Sequence, residues 1–120
     1  MKIKLNNKKY DINNNKDIEK LITKYRNKKF QNGETIYHVL IRQVGQLSKD
    51  AINFVAFMAL NDNKILERDN TGWSVLHYMG MLGVSAILTI KETYTTKDDN
   101  NITPYSLYAA FSGIERSYIQ

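Results

Sequence analysis

The chain has 120 residues, enough for one compact domain, and with 42% hydrophobic and 24% charged residues it has the material for a core, which excludes wholesale disorder. It contains no cysteine, which excludes disulfides, thiolate nucleophiles and thiolate metal sites. The net charge of +5 is uneven: residues 1–29 hold ten Lys or Arg against three Asp or Glu, and residues 30–120 hold seven against nine.

The basic charge is therefore an N-terminal property. It has two readings: an arm for a polyanion, or the lysine and asparagine bias of an AT-rich genome, to which Asn13-Asn14-Asn15 also belongs. The first residues turn polar by position six and offer no signal-peptide stretch. The apolar-leaning runs 51–60 and 75–90 are too short or interrupted to span a bilayer, so no membrane is expected and cytoplasm is the expected compartment, the host cytoplasm for a phage or viral source.

In chain order, Ile3, Leu5, Tyr10 and Ile12 alternate with polar residues around Asn6-Asn7, which predicts a β-hairpin. Asn15 is a candidate N-cap. After it Ile18, Leu21, Ile22 and Tyr25 fall on one face of an amphipathic helix, and Lys16, Glu19, Lys20 and Lys24 form the opposite, solvated face. The apolar face is expected to cap the helical region C-terminal to it. Lys28 to Gly33 reads as a turn. Helices are then predicted over 35–44, 49–60, 74–82, 84–92 and 103–112, separated by Asn, Asp and Gly loops at 61–63, 65–71 and 93–101. No composition shift marks a second domain, so 1–120 reads as one unit: a basic hairpin and helix over 1–29, and a helical array over 30–120.

The array has an internal repeat. The segment Asp69-Asn-Thr-Gly-Trp-Ser-Val-Leu-His-Tyr-Met-Gly-Met-Leu-Gly83 resembles the ankyrin pattern D-x-x-G-x-T-P-L-H-x-A-A-x-x-G, with Asp69, Gly72, Leu76, His77, Gly80 and Gly83 in frame. Ser74, Val75 and Met79 depart from it. The good copy covers 69–92. A degenerate copy at 98–113 carries Thr103-Pro104 in frame, with Asn101 at the glycine position, Ser106 for His and Gly113 one residue late. Another at 30–60 carries Gly33, Thr35 and His38, with Gly45 one residue late and an insertion expected near 45–49. The resemblance implies a mostly α fold: about three ankyrin-like helix pairs behind an N-terminal β-hairpin and capping helix.

Catalytic chemistry finds little support. His38 and His77 are the only histidines, and both occupy the same frame position, where a structural role explains them. No metal spacing, G-x-G-x-x-G, P-loop or G-x-S-x-G motif is present. The acidic pairs Asp98-Asp99 and Glu67/Asp69 read as solvated loop groups. The expectation is a non-enzymatic protein without a cofactor or metal.

The ankyrin resemblance also assigns faces. It places Asn70, Thr71, Trp73, Met81 and Leu82 of the middle copy on a concave groove, with Ile102 and Phe111 of the last copy and Arg42 of the first. Trp73, Met81, Leu82, Ile102 and Phe111 would form an apolar stripe suited to a partner. The expected function is recognition of another protein, or of a second copy, through that groove. The composition suits a small phage, viral or microbial factor, a class that often inhibits a host protein. The alternative is nucleic-acid or nucleotide binding by the basic N-terminal segment.

Overall fold

The computed structural model describes residues 2–44 and 48–112. The late glycines Gly45 and Gly113, and most of the insertion expected after Val44, lie outside the described residues.

Strands β1 (Lys2–Leu5) and β2 (Lys8–Asp11) pair antiparallel, with Leu5 opposite Lys8 and Ile3 opposite Tyr10. Asn6 and Asn7 both adopt positive φ, 49° and 67°, as a two-residue primed turn requires, and asparagine tolerates that backbone better than most residues. Helix α1 (Asn15–Tyr25) follows. Its cap is Asn14, one residue before the expected Asn15. Asn14 is extended and accepts the Asp17 N–H at 3.1 Å, while the Asp17 carboxylate accepts the Asn13 N–H at 2.8 Å.

Four further helices are described: α2 (Ile36–Val44), α3 (Lys49–Asn61), α4 (Val75–Met81) and α5 (Pro104–Ser112). The described chain is thus mostly helical behind a two-stranded hairpin. Helix α2 is buried along nearly its whole length and touches β1, α1, α3 and α4, and α4 packs extensively on α5. There the missing side chain of Gly80 matters: a Cβ would lie 2.4 Å from the Pro104 carbonyl oxygen, so only glycine lets the two helices approach this closely.

One apolar cluster runs through the described fold. Ile3, Leu5, Ile12, Ile18, Leu21 and Ile22 of the N-terminal segment belong to it, as do Leu40, Val55, Leu76 and Ile87 farther along. Two polar ties fix the segment in place. The Gln43 side-chain amide exchanges hydrogen bonds, both 2.8 Å, with the backbone N–H and carbonyl of Lys4, occupying the free edge of β1. The Asp62 carboxylate at the end of α3 accepts Arg26 Nε at 2.9 Å and the Tyr37 hydroxyl.

The helix expected over 84–92 is replaced by two 3-10 segments, Ser85–Thr89 and Lys91–Thr93, with Ile90 extended between them. The cause is local. The Thr89, Thr93 and Tyr94 hydroxyls donate to the carbonyls of Ala86, Ile87 and Leu88, at 2.9, 2.5 and 2.9 Å. Such bonds compete with the helical ladder, and the β-branched Ile87, Thr89, Ile90 and Thr93 lose rotamer freedom in a helix. No helix among the described residues is long and apolar enough to cross a membrane.

Candidate partner-binding face

Three short turns, each preceding a helix, are built alike. In each, the first residue's N–H donates to the carbonyl four residues on: Phe30 to Glu34 at 2.7 Å, Asp69 to Trp73 at 2.9 Å, Asp98 to Ile102 at 2.9 Å. The fourth residue has positive φ in all three, at Gly33 (69°), Gly72 (84°) and Asn101 (63°). A hydroxyl residue then caps the helix: Thr35, Ser74 and Thr103.

Histidine joins one turn to the next. The Thr35 N–H donates to His38 Nδ1 at 3.1 Å, so the ring proton sits on Nε2, which donates to the Trp73 carbonyl at 3.0 Å. His77 repeats this: the Ser74 N–H donates to Nδ1 at 3.1 Å and Nε2 donates to the Ile102 carbonyl at 2.9 Å. A further backbone bond, Asn70 N–H to the Asn32 carbonyl at 2.7 Å, joins the first two turns directly. Both imidazoles are fully buried. Burial holds their pKa below the ordinary value, against the opposing pull of the accepting carbonyls and nearby carboxylates.

The carboxylates that open the second and third turns organise them. One Asp69 oxygen accepts the backbone N–H of Thr71 at 2.9 Å and of Trp73 at 3.1 Å, and the other accepts the Tyr78 hydroxyl at 2.6 Å. Asp98 accepts the N–H groups of Asn100 and Ile102, both at 2.8 Å, and the Trp73 indole N–H, also at 2.8 Å. Burial would raise both carboxylates, but these hydrogen bonds to the ionised form outweigh it and hold both below the ordinary range. Burial, reinforced by the same contact with Asp69, pushes the Tyr78 phenol up.

The structure places the expected groove residues unevenly. Asn70 and Thr71 are exposed at a turn tip, and Phe111 is 63% exposed on α5. Arg42 is about half-exposed, but its guanidinium is held by a two-pronged pair with Glu34, 2.6 Å on each arm, which raises its pKa. Trp73 is not a free groove side chain. It is half-buried, stacked on His77 with ring centres 5.7 Å apart, set edge-on to Tyr78 and tied to Asp98. Ile102 and Met81 are half-buried. Leu82 lines a cleft with Lys49, Ile52 and Val84, on the side where α3 packs. The apolar stripe expected from Trp73 to Phe111 is therefore broken, because Trp73 serves the turn array and Leu82 packs against the core.

The residues expected to be structural form the array itself: Asp69, Gly72 and His77 in the middle turn, His38 in the first, Thr103 and buried Pro104 in the third. Gly83, with φ 72°, ends α4. One feature was illegible in the sequence. The hairpin turn at Asn6-Asn7 faces Gln31, Asn32 and Arg42 across a cleft of about 310 Å³, extending the face beyond the first turn. The Gln43 tie to Lys4, between residues 39 positions apart, and the burial of Ile3 and Leu5 bring these groups together. Among the described residues no group of three His, Asp or Glu could hold a metal ion, and every buried side-chain polar atom has a partner.

No protein family, curated protein or solved structure matches the chain.

Proposed function

We propose that this is an ankyrin-like, non-enzymatic module that binds another protein through the face formed by its turns. One observation carries the reading: three turns of the same hydrogen-bond pattern, linked in register by two buried histidines. A rigid, repeated turn array presents side chains at fixed spacing, which lowers the ordering cost of binding. The side chains at the tips are exposed, polar and varied: Gln31 and Asn32, Asn70 and Thr71, Asp99 and Asn100. The turns are held by backbone bonds and buried side chains, with the Thr71 hydroxyl donating to Asp69 at 2.5 Å, so the other tip side chains are left to serve recognition.

The test compares two faces. The immobilised full chain is exposed to lysate of the organism that encodes it, alongside Asn70→Arg/Asp99→Arg, which alters two tips, and Phe57→Ser, which alters the outer side of α3. The proposal expects a captured protein that the tip variant loses, by at least about tenfold in affinity or roughly 1.4 kcal/mol, and that Phe57→Ser retains. Loss with Phe57→Ser alone, or capture insensitive to both, overturns it. Sedimentation of the chain alone tells whether the captured protein is a second copy.

A further inference from the structure

The side of α1 turned away from the core carries Lys16, Lys20 and Lys24, whose stems leave the helix about 6 Å apart along its axis. All three are exposed, and with Glu19 and Thr23 they line one shallow depression of about 500 Å³. Aromatic rings adjoin its end. The Tyr10 and Tyr25 hydroxyls are 2.6 Å apart, and the Tyr25 and Phe30 rings meet edge to face at 5.6 Å. Lys24 Nζ lies 5.7 Å from the centre of the Tyr10 ring and 5.4 Å from that of Tyr25. Lys28 Nζ lies 5.8 Å from Tyr25 and 5.5 Å from Phe30. Tyr10, Tyr25 and Phe30 are each half-buried, so part of every ring reaches solvent beside these lysines.

The charge is not neutralised internally. Arg26 and Lys29 of this segment pair with Asp62 and Glu67, but among the described residues no carboxylate lies within 4.0 Å of Lys16, Lys20, Lys24 or Lys28. On the hairpin Lys4 stands directly opposite Lys9, a like-charge pair that costs stability and adds to the same positive field. The helix's apolar side is spent on the core, where Ile18, Leu21 and Ile22 are buried. It therefore has no apolar face left to enter a bilayer.

We infer that this face binds single-stranded nucleic acid, its lysines along the sugar-phosphate backbone and the solvent-reaching parts of its aromatic rings against the bases. Regularly spaced cations beside partly exposed rings suit a single strand, which offers both phosphates and unstacked bases; a duplex offers only the phosphates. The site is separate from the turn face and independent of the protein-binding proposal.

The test is fluorescence anisotropy of the full chain with a labelled oligonucleotide of about 20 thymidines, titrated between about 50 and 200 mM salt. Lys16→Gln/Lys20→Gln/Lys24→Gln is expected to bind at least about tenfold more weakly, with a log-log salt slope shallower by about 2. The corresponding triple arginine variant is expected to bind like the wild type. A control carrying Lys49→Gln, Lys91→Gln and Lys97→Gln changes net charge equally at sites elsewhere and is expected to keep its affinity. Equal weakening by the control overturns the site. So does absence of binding at the lowest salt, tighter binding of a duplex of the same length, or preference for phosphatidylserine vesicles.

Discussion

The front and the back of the array obey different rules. At the front, three turns separated by unequal stretches of chain keep one pattern of backbone hydrogen bonds, a positive φ at the fourth residue and a hydroxyl cap, the first turn adding a positive φ at Asn32 (65°). At the back, the segments that follow α2 and α4 diverge: Lys49–Asn61 is a continuous helix, and Ser85–Thr93 is two 3-10 segments with an extended residue between them. The front is held by directional bonds between buried polar groups, which tolerate little displacement and cost much when unmade. The back is held chiefly by apolar burial, which asks only that Val55 or Ile87 reach the core, and both do, with the buried Thr93 hydroxyl bonded to the Ile87 carbonyl beside it. Uniformity is thus required where polar groups are buried, and backbone variety is allowed where the contacts are apolar.

The largest effect should come from breaking the front. His38→Leu leaves the Thr35 N–H without its acceptor in a buried setting and takes one of two donors from the Trp73 carbonyl. It is expected to cost about 3 kcal/mol in urea unfolding. A loss under about 0.5 kcal/mol would show that the turns are not held through histidine. The same bonds set a pH dependence. Because burial lowers both folded imidazoles, the unfolded chain takes up protons first as pH falls through about 6.5. Stability should be full above that value and decline below it, with Asp69 and Asp98 adding a second loss below the ordinary carboxylate range. His38→Leu should flatten part of the first decline.

An intermediate effect is expected at the middle turn. Gly72 has φ 84°, and a Cβ there would lie 2.7 to 2.9 Å from the Asp99 carboxylate atoms. Gly72→Ala should cost about 1.5 kcal/mol, chiefly from the left-handed backbone, since the exposed Asp99 side chain can move aside. A neutral result would mean that the turn can change conformation while the array persists.

The smallest effect belongs to the back. Thr93→Val removes the hydroxyl bond to the Ile87 carbonyl, but that carbonyl keeps the Ile90 N–H at 2.9 Å, so the cost should be about 1 kcal/mol or less. If thermal melts instead rank Thr93→Val above Gly72→Ala, the distinction between front and back fails.

Much of the fold was legible in the sequence because its signals are local. The Asn6-Asn7 turn, the spacing of Ile18, Leu21 and Ile22, and the Thr or Ser caps act over four residues or fewer. The position of Gly72 and the pairing of Ser74 with His77 are local in the same sense. The 3-10 segments were missed because Val84, Ile87, Leu88 and Ile90 look apolar at helical spacing, while the competing bonds come from hydroxyls whose targets appear only once the chain has turned.

What the sequence determined by itself was the set of turns, caps and apolar faces, since each depends on backbone preferences and periodicities that neighbouring residues establish. The two histidine ties follow the repeat, since His38 and His77 share one frame position, where a bond to the neighbouring turn is expected. Tertiary structure alone decided the polar meetings outside that repeat: Trp73 finds Asp98 and Gln43 finds Lys4, across 25 and 39 positions. These two partners are chosen by the packing of the elements that carry them, and their directional bonds give no periodic trace in the chain. That is why Trp73 reads as a groove residue in the sequence and lies within the turn array in the structure.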